Sequence, residues 1–293
     1  MPQHSHHDTG RILKWSLAAT VAFVLVELAA GIQAHSLALL SDAGHNFTDA
    51  LALLLAWIGV CFGRKPPDEI KSYGYHRAGV LAAFVNALAL LILAAYILWE
   101  SYRRWMAPRV VDEWTMLAVA ALGLAVNLAI MRGLRGERAH DINIRSAWVH
   151  MLGDALGSVG IITGALLIRW TGWQRIDPLL SALIGLLIVW TAWDIVKESL
   201  NILLEGLPRG LELDSVVSAM RQIEGVLDVH DLHIWSLGSS LHALSCHVRI
   251  EDLPPSASDA ILRALNHMLD ERFRIRHTTV QFEHAHCPGC AYS

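Results

Sequence analysis

Two pairs of residues, each four positions apart, stand out in an otherwise apolar chain. The stretch SDAGHNFTDALALLLAWIG, residues 41–59, holds His45 and Asp49, and HMLGDALGSVG, residues 150–160, holds His150 and Asp154. Residues four apart share one face of an α-helix. Each stretch therefore presents one imidazole and one carboxylate from the same side. Together they offer two nitrogens and two oxygens, enough to close a tetrahedral shell of the kind zinc takes from His and Asp. An Asp at the centre of a membrane helix costs roughly 2.5–3.5 kcal/mol on insertion scales. Two such residues, each with a histidine one turn before it, point to an ion site. Asp42 lies three residues before His45 on nearly the same face. It reads either as a cap at the start of the helix or as part of the ion site.

The rest of the chain must hold these residues in a bilayer. Of 293 residues, 54% are hydrophobic and 17% charged, and the mean hydropathy is +0.40. Soluble domains carry about 25% charged residues, so this is membrane composition. A spanning helix needs about 20 mostly apolar residues. Six runs qualify, near 12–34, 37–62, 78–100, 114–133, 143–169 and 176–199. This divides the chain into a short His-containing tail (1–11), a six-helix membrane domain (12–206) and a more charged C-terminal domain (207–293). No cleavable signal peptide is evident. Lys and Arg concentrate before the first run, between the second and third, and between the fourth and fifth, which places both termini in the cytoplasm. A formal charge of -4 argues against a nucleic-acid partner.

The C-terminal segment predicts a small α+β domain of order αββαβ. Leu213, Val216, Val217, Met220 and Ile223 recur with helical spacing. Val226–Trp235 reads as a strand. Leu244, Cys246, Val248 and Ile250 alternate, which turns Ser245, His247 and Arg249 to the other face. Ile261, Leu262, Leu265, Met268 and Leu269 give a second helix, and Thr278, Val280 and Phe282 a third strand. Two helices on one face of a small sheet is a ferredoxin-like arrangement. Eight of the sixteen histidines fall in this segment. His230 and His233 are three apart on one strand, so a regular strand turns them to opposite faces. The end, EHAHCPGCA, brings His284, His286, Cys287 and Cys290 together, and Cys-x-x-Cys beside histidines is a metal signal. The N-terminal HSHHD is a weaker one.

The stretches HSLALLSDAGHNFTDALALLLAWIG, YGYHRAG, NIRSAWVHMLGDALGSVG, IDPLLSALIG and VHDLHIWSLG resemble the cation diffusion facilitator family, in its bacterial zinc-transporter branch. The resemblance runs from about Ile12 to Glu283. It implies a homodimeric metal/proton antiporter in the bacterial inner membrane, with six helices and a cytoplasmic ferredoxin-like domain, and no enzymatic activity. By that resemblance His45, Asp49, His150 and Asp154 form the transport site. Histidine at the first helix 2 position implies zinc as the preferred cargo, with cadmium or cobalt as alternatives. His230, His247 and Glu283 match positions that hold regulatory zinc in relatives, and His233 is taken with them as a candidate ligand. Some relatives carry another metal site between helices 2 and 3. Here Asp68 matches its acidic ligand, but Lys71 and Tyr75 stand where the histidines belong. A lysine ammonium has no lone pair to give, so no metal is expected there, and His76 is left over. If the loop has a structural role, it is in holding Arg77 against an acid such as Glu205.

Zinc needs unprotonated ligands, so its binding releases protons and is pH-dependent. A site that opens alternately to each side can therefore exchange zinc for protons. Two other classes fit less well. A haem protein with His45 and His150 as axial ligands gains nothing from the paired carboxylates. An intramembrane metallohydrolase needs a vacant coordination position and a general base, and the chain has no His-Glu-x-x-His.

Overall fold

The computed structural model describes residues 20–63, 65–134, 142–238 and 241–285. The chain divides into two compact units, Met1–Leu54 with Asn86–Asp194, and Leu55–Val85 with Ile195–Ser293. Six long apolar segments are helical. The first, α1, is described over Thr20–Gln33. The others are α2 (Leu37–Gly63), α3 (Ala78–Met106), α4 (Glu113–Leu134), α5 (Ile142–Thr171) and α6 (Ile176–Leu203). Among the described residues, α3, α4, α5 and α6 are each long and apolar enough to cross a membrane. Helix α2 is a continuous helix of 27 residues that carries His45 and Asp49 in an otherwise mostly apolar run.

Small residues set the approach of these helices, as membrane packing requires. A Cβ at Gly123 on α4 would meet Phe23 Cζ of α1 at 2.5 Å. One apolar cluster joins Ala38 and Leu39 of α2, Met116 and Ala120 of α4, and Ile161, Ala165 and Ile168 of α5. Another joins Leu90, Ala94 and Ile97 of α3 to Ile188 and Ala192 of α6. The first cluster fixes α2 against α5, the two helices that carry the paired His and Asp.

The start of α2 is fastened by charge. Asp177, fully buried in the first turn of α6, accepts from the Ser36 hydroxyl at 2.6 Å and from the backbone N–H of Leu37 at 2.9 Å and Ala38 at 3.1 Å. These N–H groups have no partner inside the helix. Arg104 of α3 lies 3.7 Å from Asp177, pairs with Glu100 at 3.1 Å and donates at 2.5 Å to the carbonyl of His35, whose φ is 53°. The helix thus begins at Leu37, and its caps are Ser36 and Asp177. Asp42 lies inside α2 and is no cap, which removes the first of its two readings.

The segment between α2 and α3 is a turn built on Asp68. Its carboxylate accepts from the N–H of Ile70 at 2.9 Å, the N–H of Lys71 at 2.7 Å and the Tyr75 hydroxyl at 2.7 Å. The Tyr75 hydroxyl, then these N–H groups, hold the Asp68 carboxyl below its usual range. Arg77 meets Glu205 at 3.0 Å. Both are partly exposed, and such pairs are worth about 0–1 kcal/mol. Asp68→Ala and Lys71→Ala are expected to leave metal flux within about twofold of the parent in vesicles. A loss of tenfold or more from either would assign the turn a part in transport. The depressed Asp68 carboxyl supports the turn above its ordinary titration range, and that support is lost as pH falls through the lowered value.

The C-terminal elements follow in the order α7 (Leu213–Arg221), β1 (Asp228–Ser236), β2 (His242–Arg249), α8 (Pro255–Phe273) and β3 (Ile275–Glu283). This is the αββαβ order expected. The sheet runs β1-β2-β3, with β1 antiparallel and β3 parallel to β2. Val216 and Met220 of α7 and Ile261, Leu265 and Leu269 of α8 share one core with Leu244, Cys246 and Val248. Both helices therefore cover the same face, and burial there pushes the Cys246 thiol up to about 12. The opposite face carries His247.

Strand β1 departs from the regular alternation. His230 pairs with His247, but His233 pairs with Ser245, so two residues of β1 stand opposite the single Cys246. Asp231 at φ 49° marks this bulge. The extra residue restores the parity of the strand. His230 and His233 consequently lie on the same face, the reverse of what regular alternation gives.

Candidate metal centre

The residues of α2 and α5 converge as their spacing requires. His45 Nε2 lies 3.5 Å from Asp49 Oδ2. His150 Nε2 lies 3.4 Å from the same oxygen and 3.6 Å from Asp154 Oδ2. Donor atoms of His45, Asp49 and Asp154 all fall within 4.8 Å of one another. Ligands about 2.0–2.2 Å from one zinc ion are separated by distances of this order. Asp154 is buried at 9% exposure, whereas His150, at 44%, stands at the open edge of the cluster. Two buried atoms, His45 Nδ1 and Asp49 Oδ2, have no hydrogen-bond partner among the described residues. Unpaired polar atoms are costly in this setting. A dication shared by these side chains would satisfy Asp49, and their two nitrogens and two oxygens are a donor set that suits one.

A second cluster forms on the open face of the β-sheet. His247 Nδ1 lies 3.0 Å from Glu283 Oε1, and His230 Nε2 lies 3.3 Å from Glu283 Oε2. The two imidazoles stand edge to face at 5.4 Å. His247 Nδ1 and Glu283 Oε2 are again buried without a hydrogen-bond partner. His233 is not in this group of three. Its Nε2 sits 3.0 Å from Asp231 Oδ1, and the other Asp231 oxygen lies 3.7 Å from His247. The bulge brings His233 to the correct face but hands it to Asp231. His284 is exposed just past β3. His286, Cys287 and Cys290 lie outside the described residues, as does the N-terminal HSHHD. His267 is exposed beside Glu271, and His277 packs edge to face on Tyr73. A concavity of about 930 Å³ is lined by Tyr73, Tyr75, His76 and His233 and contains neither cluster.

With this geometry in place, comparison with known proteins is decisive about kinship. Residues 13–204 match the cation efflux transmembrane domain, and residues 208–285 match the cation efflux protein cytoplasmic domain. The chain belongs to the cation diffusion facilitator family. It is 41% identical over 287 residues to the metal cation efflux system protein CzcD of Cupriavidus metallidurans, covering 97% of this chain and 90% of the relative. It is 41% identical over 297 residues to the zinc transporter ZitB of Escherichia coli, covering 98% and 94%. It is 37% identical over 287 residues to a cadmium, cobalt and zinc/H(+)-K(+) antiporter of Bacillus subtilis, covering 96% and 91%. This family member is thus a metal cation efflux transporter with a helical transmembrane domain and a cytoplasmic α+β domain. The resemblance seen in the sequence motifs is the family the whole chain matches.

Three buried groups around α2 escaped the sequence reading. Glu27 on α1 is 1% exposed, and Asn46 donates to it at 3.3 Å. Asp177 and Arg104 anchor the start of α2. For Glu27 a signal was present, since it is an acid inside an apolar run. For Asp177 the signal was a lone acid beside Pro178 at the start of a span.

Proposed function

We propose that this transporter is a zinc/proton antiporter, assembled as a homodimer, that exports zinc from the bacterial cytoplasm with both termini on the cytoplasmic side. His45, Asp49, His150 and Asp154 hold the cargo during transit. The observation that carries this reading is Asp49 Oδ2, buried, without a hydrogen-bond partner among the described residues and within 3.5 Å of one histidine on each of two helices. Zinc binding there displaces protons from the same side chains. Because the ligands come in pairs from α2 and α5, a shift of one helix against the other breaks the shell and releases the ion. Cadmium and cobalt are secondary cargoes, in keeping with the name of the Bacillus subtilis relative. The reading involves no enzymatic step. The domains act as a membrane translocator (12–206) and a cytoplasmic dimerisation and metal-binding module (207–293). The test is zinc flux in proteoliposomes with and without an inward pH gradient. Flux is expected to rise with the gradient, and indifference to it would remove the antiport mechanism.

Selectivity is assigned to His45. Selectivity among divalent metals follows ligand type and geometry more than raw affinity. His45→Asp replaces a single nitrogen donor by a shorter carboxylate, whose two oxygens can accommodate a larger ion of higher coordination number. Transport is expected to persist with the cadmium-to-zinc flux ratio raised several-fold. An unchanged ratio would acquit His45 of this role.

His230, His247 and Glu283 are proposed to bind regulatory zinc in the cytoplasm. A metal that binds one dimer arrangement better shifts the population toward it by its differential affinity. In the full chain carrying Asp154→Ala, zinc is expected to raise the melting temperature, and His247→Ala to remove most of that rise. Equal stabilisation with and without His247→Ala would leave the domain as a dimerisation module alone.

A further inference from the structure

Beside the α2–α5 cluster lies a pair of acids that this transport reading does not use. Glu27 of α1 is 1% exposed and Asp42 of α2 is 6% exposed. Their side chains are within hydrogen-bonding reach of each other. Asn46, one turn after Asp42, donates to Glu27 Oε2 at 3.3 Å, while Glu27 Oε1 is buried with no partner among the described residues. Ionised carboxylates are acceptors only. Two of them facing each other in a low dielectric repel unless a cation lies between them. Asp42 and Asn46 are side chains beside Glu27, and neither is a base. Asp42 in turn lies within electrostatic range of His45, Asp49 and Asp154. Gly157 on α5 presents no side chain at this point. Even a Cβ there would only touch Asp42 Oδ1, at 3.7 Å.

We propose that Glu27 and Asp42 form a second cation position in the membrane unit, one helical turn from His45, in which a single cation bridges the two carboxylates. It takes either a proton or the divalent cargo, and its occupant changes the charge that an ion at His45, Asp49, His150 and Asp154 experiences. The inference rests on the transport reading of that neighbouring cluster.

The experiment uses the full chain in detergent and in proteoliposomes, with Glu27→Gln, Asp42→Asn and the parent, each also combined with Asp154→Ala. Glutamine keeps the shape and the bond to Asn46, and its amide can donate to Asp42, so the fold is expected to hold. Melting temperature within a few degrees of the parent checks this, and Asp42→Asn is the second route to the same answer. If the occupant is the metal, Glu27→Gln lowers bound zinc by one ion per chain, and the drop persists in the Asp154→Ala background. If it is a proton, the count is unchanged, but the protons released per zinc bound fall and flux loses most of its response to the pH gradient. Both results support the site and identify its occupant. Unchanged metal count, proton release and pH-driven flux in both variants would overturn it. A failure of the neighbouring cluster reads out separately, as parent-like flux in Asp154→Ala alone.

Discussion

Asp49→Ala is expected to abolish metal flux while leaving a folded, dimeric protein. Asp49 Oδ2 is the atom common to both helices, 3.5 Å from His45 and 3.4 Å from His150. Without it, α2 offers a single imidazole and α5 keeps its pair, so no four-ligand shell remains. A dehydrated dication then has three donors in a membrane interior, where water does not replace the fourth cheaply. Loss of even an outer partner of a metal ligand costs a site about 10- to 100-fold. Loss of this ligand is therefore expected to reduce flux by at least about 100-fold. Stability should change little, because Asp49 is a quarter exposed and its Oδ2 makes no hydrogen bond among the described residues. Removing Oδ2 takes away no hydrogen bond among the described residues, only its longer contacts to the two histidines. Asp49→Asn refines the test. It keeps the volume and one oxygen but loses the charge, so it should bind zinc weakly and transport poorly. Flux in vesicles, with melting temperature and oligomeric state as controls, decides the matter. Parent-like flux in Asp49→Ala would mean that the cargo is held elsewhere.

The α2–α5 cluster was legible because helix geometry is rigid. A spacing of four residues fixes a shared face whatever surrounds it, and a carboxylate in an apolar run has few uses. The αββαβ order was legible for a similar reason, since the alternation of Leu244, Cys246 and Val248 survives in the buried pattern of β2. His233 was misplaced because parity along a strand is fragile. One inserted residue, with Asp231 in a left-handed conformation, reverses every side chain beyond it. No local pattern announces such a bulge, because aspartate tolerates that conformation without being diagnostic of it. Asp42 was ambiguous because the true start of α2 is set from outside the segment. Its caps are Ser36 and an acid 140 positions along the chain from Leu37. Long-range polar contacts of this kind leave no periodicity to read.

Asp177→Ala is expected to produce the largest loss of stability of any single change considered. Asp177 is fully buried and satisfies one hydroxyl and two backbone N–H groups at the start of α2. Removing a cap of this kind costs about 0.5–2 kcal/mol. The change also strips Arg104 of one of its two carboxylate partners, although Glu100 stays 3.1 Å away. Breaking a buried charge pair by deleting one member costs roughly 3–5 kcal/mol. These costs share groups and do not add, so a total near the upper of the two figures is the expectation. The effect should reach transport as well. His45 lies eight positions after Leu37, roughly 12 Å along the helix at 1.5 Å per residue. A slip of α2 by one residue in register turns His45 and Asp49 by about 100° away from α5. Flux per folded molecule should therefore fall along with the melting temperature. Asp177→Asn keeps an oxygen for the N–H groups and should be the milder change. The decisive comparison is Asp177→Ala with Arg104→Met added. If the charge left on Arg104 is the main cost, the double variant melts above the single one, because the charge goes and apolar bulk replaces it. A double variant no more stable than Asp177→Ala would place the cost in the lost cap, and an unchanged melting temperature in Asp177→Ala would show that α2 is held by its apolar packing on α4 and α5 alone.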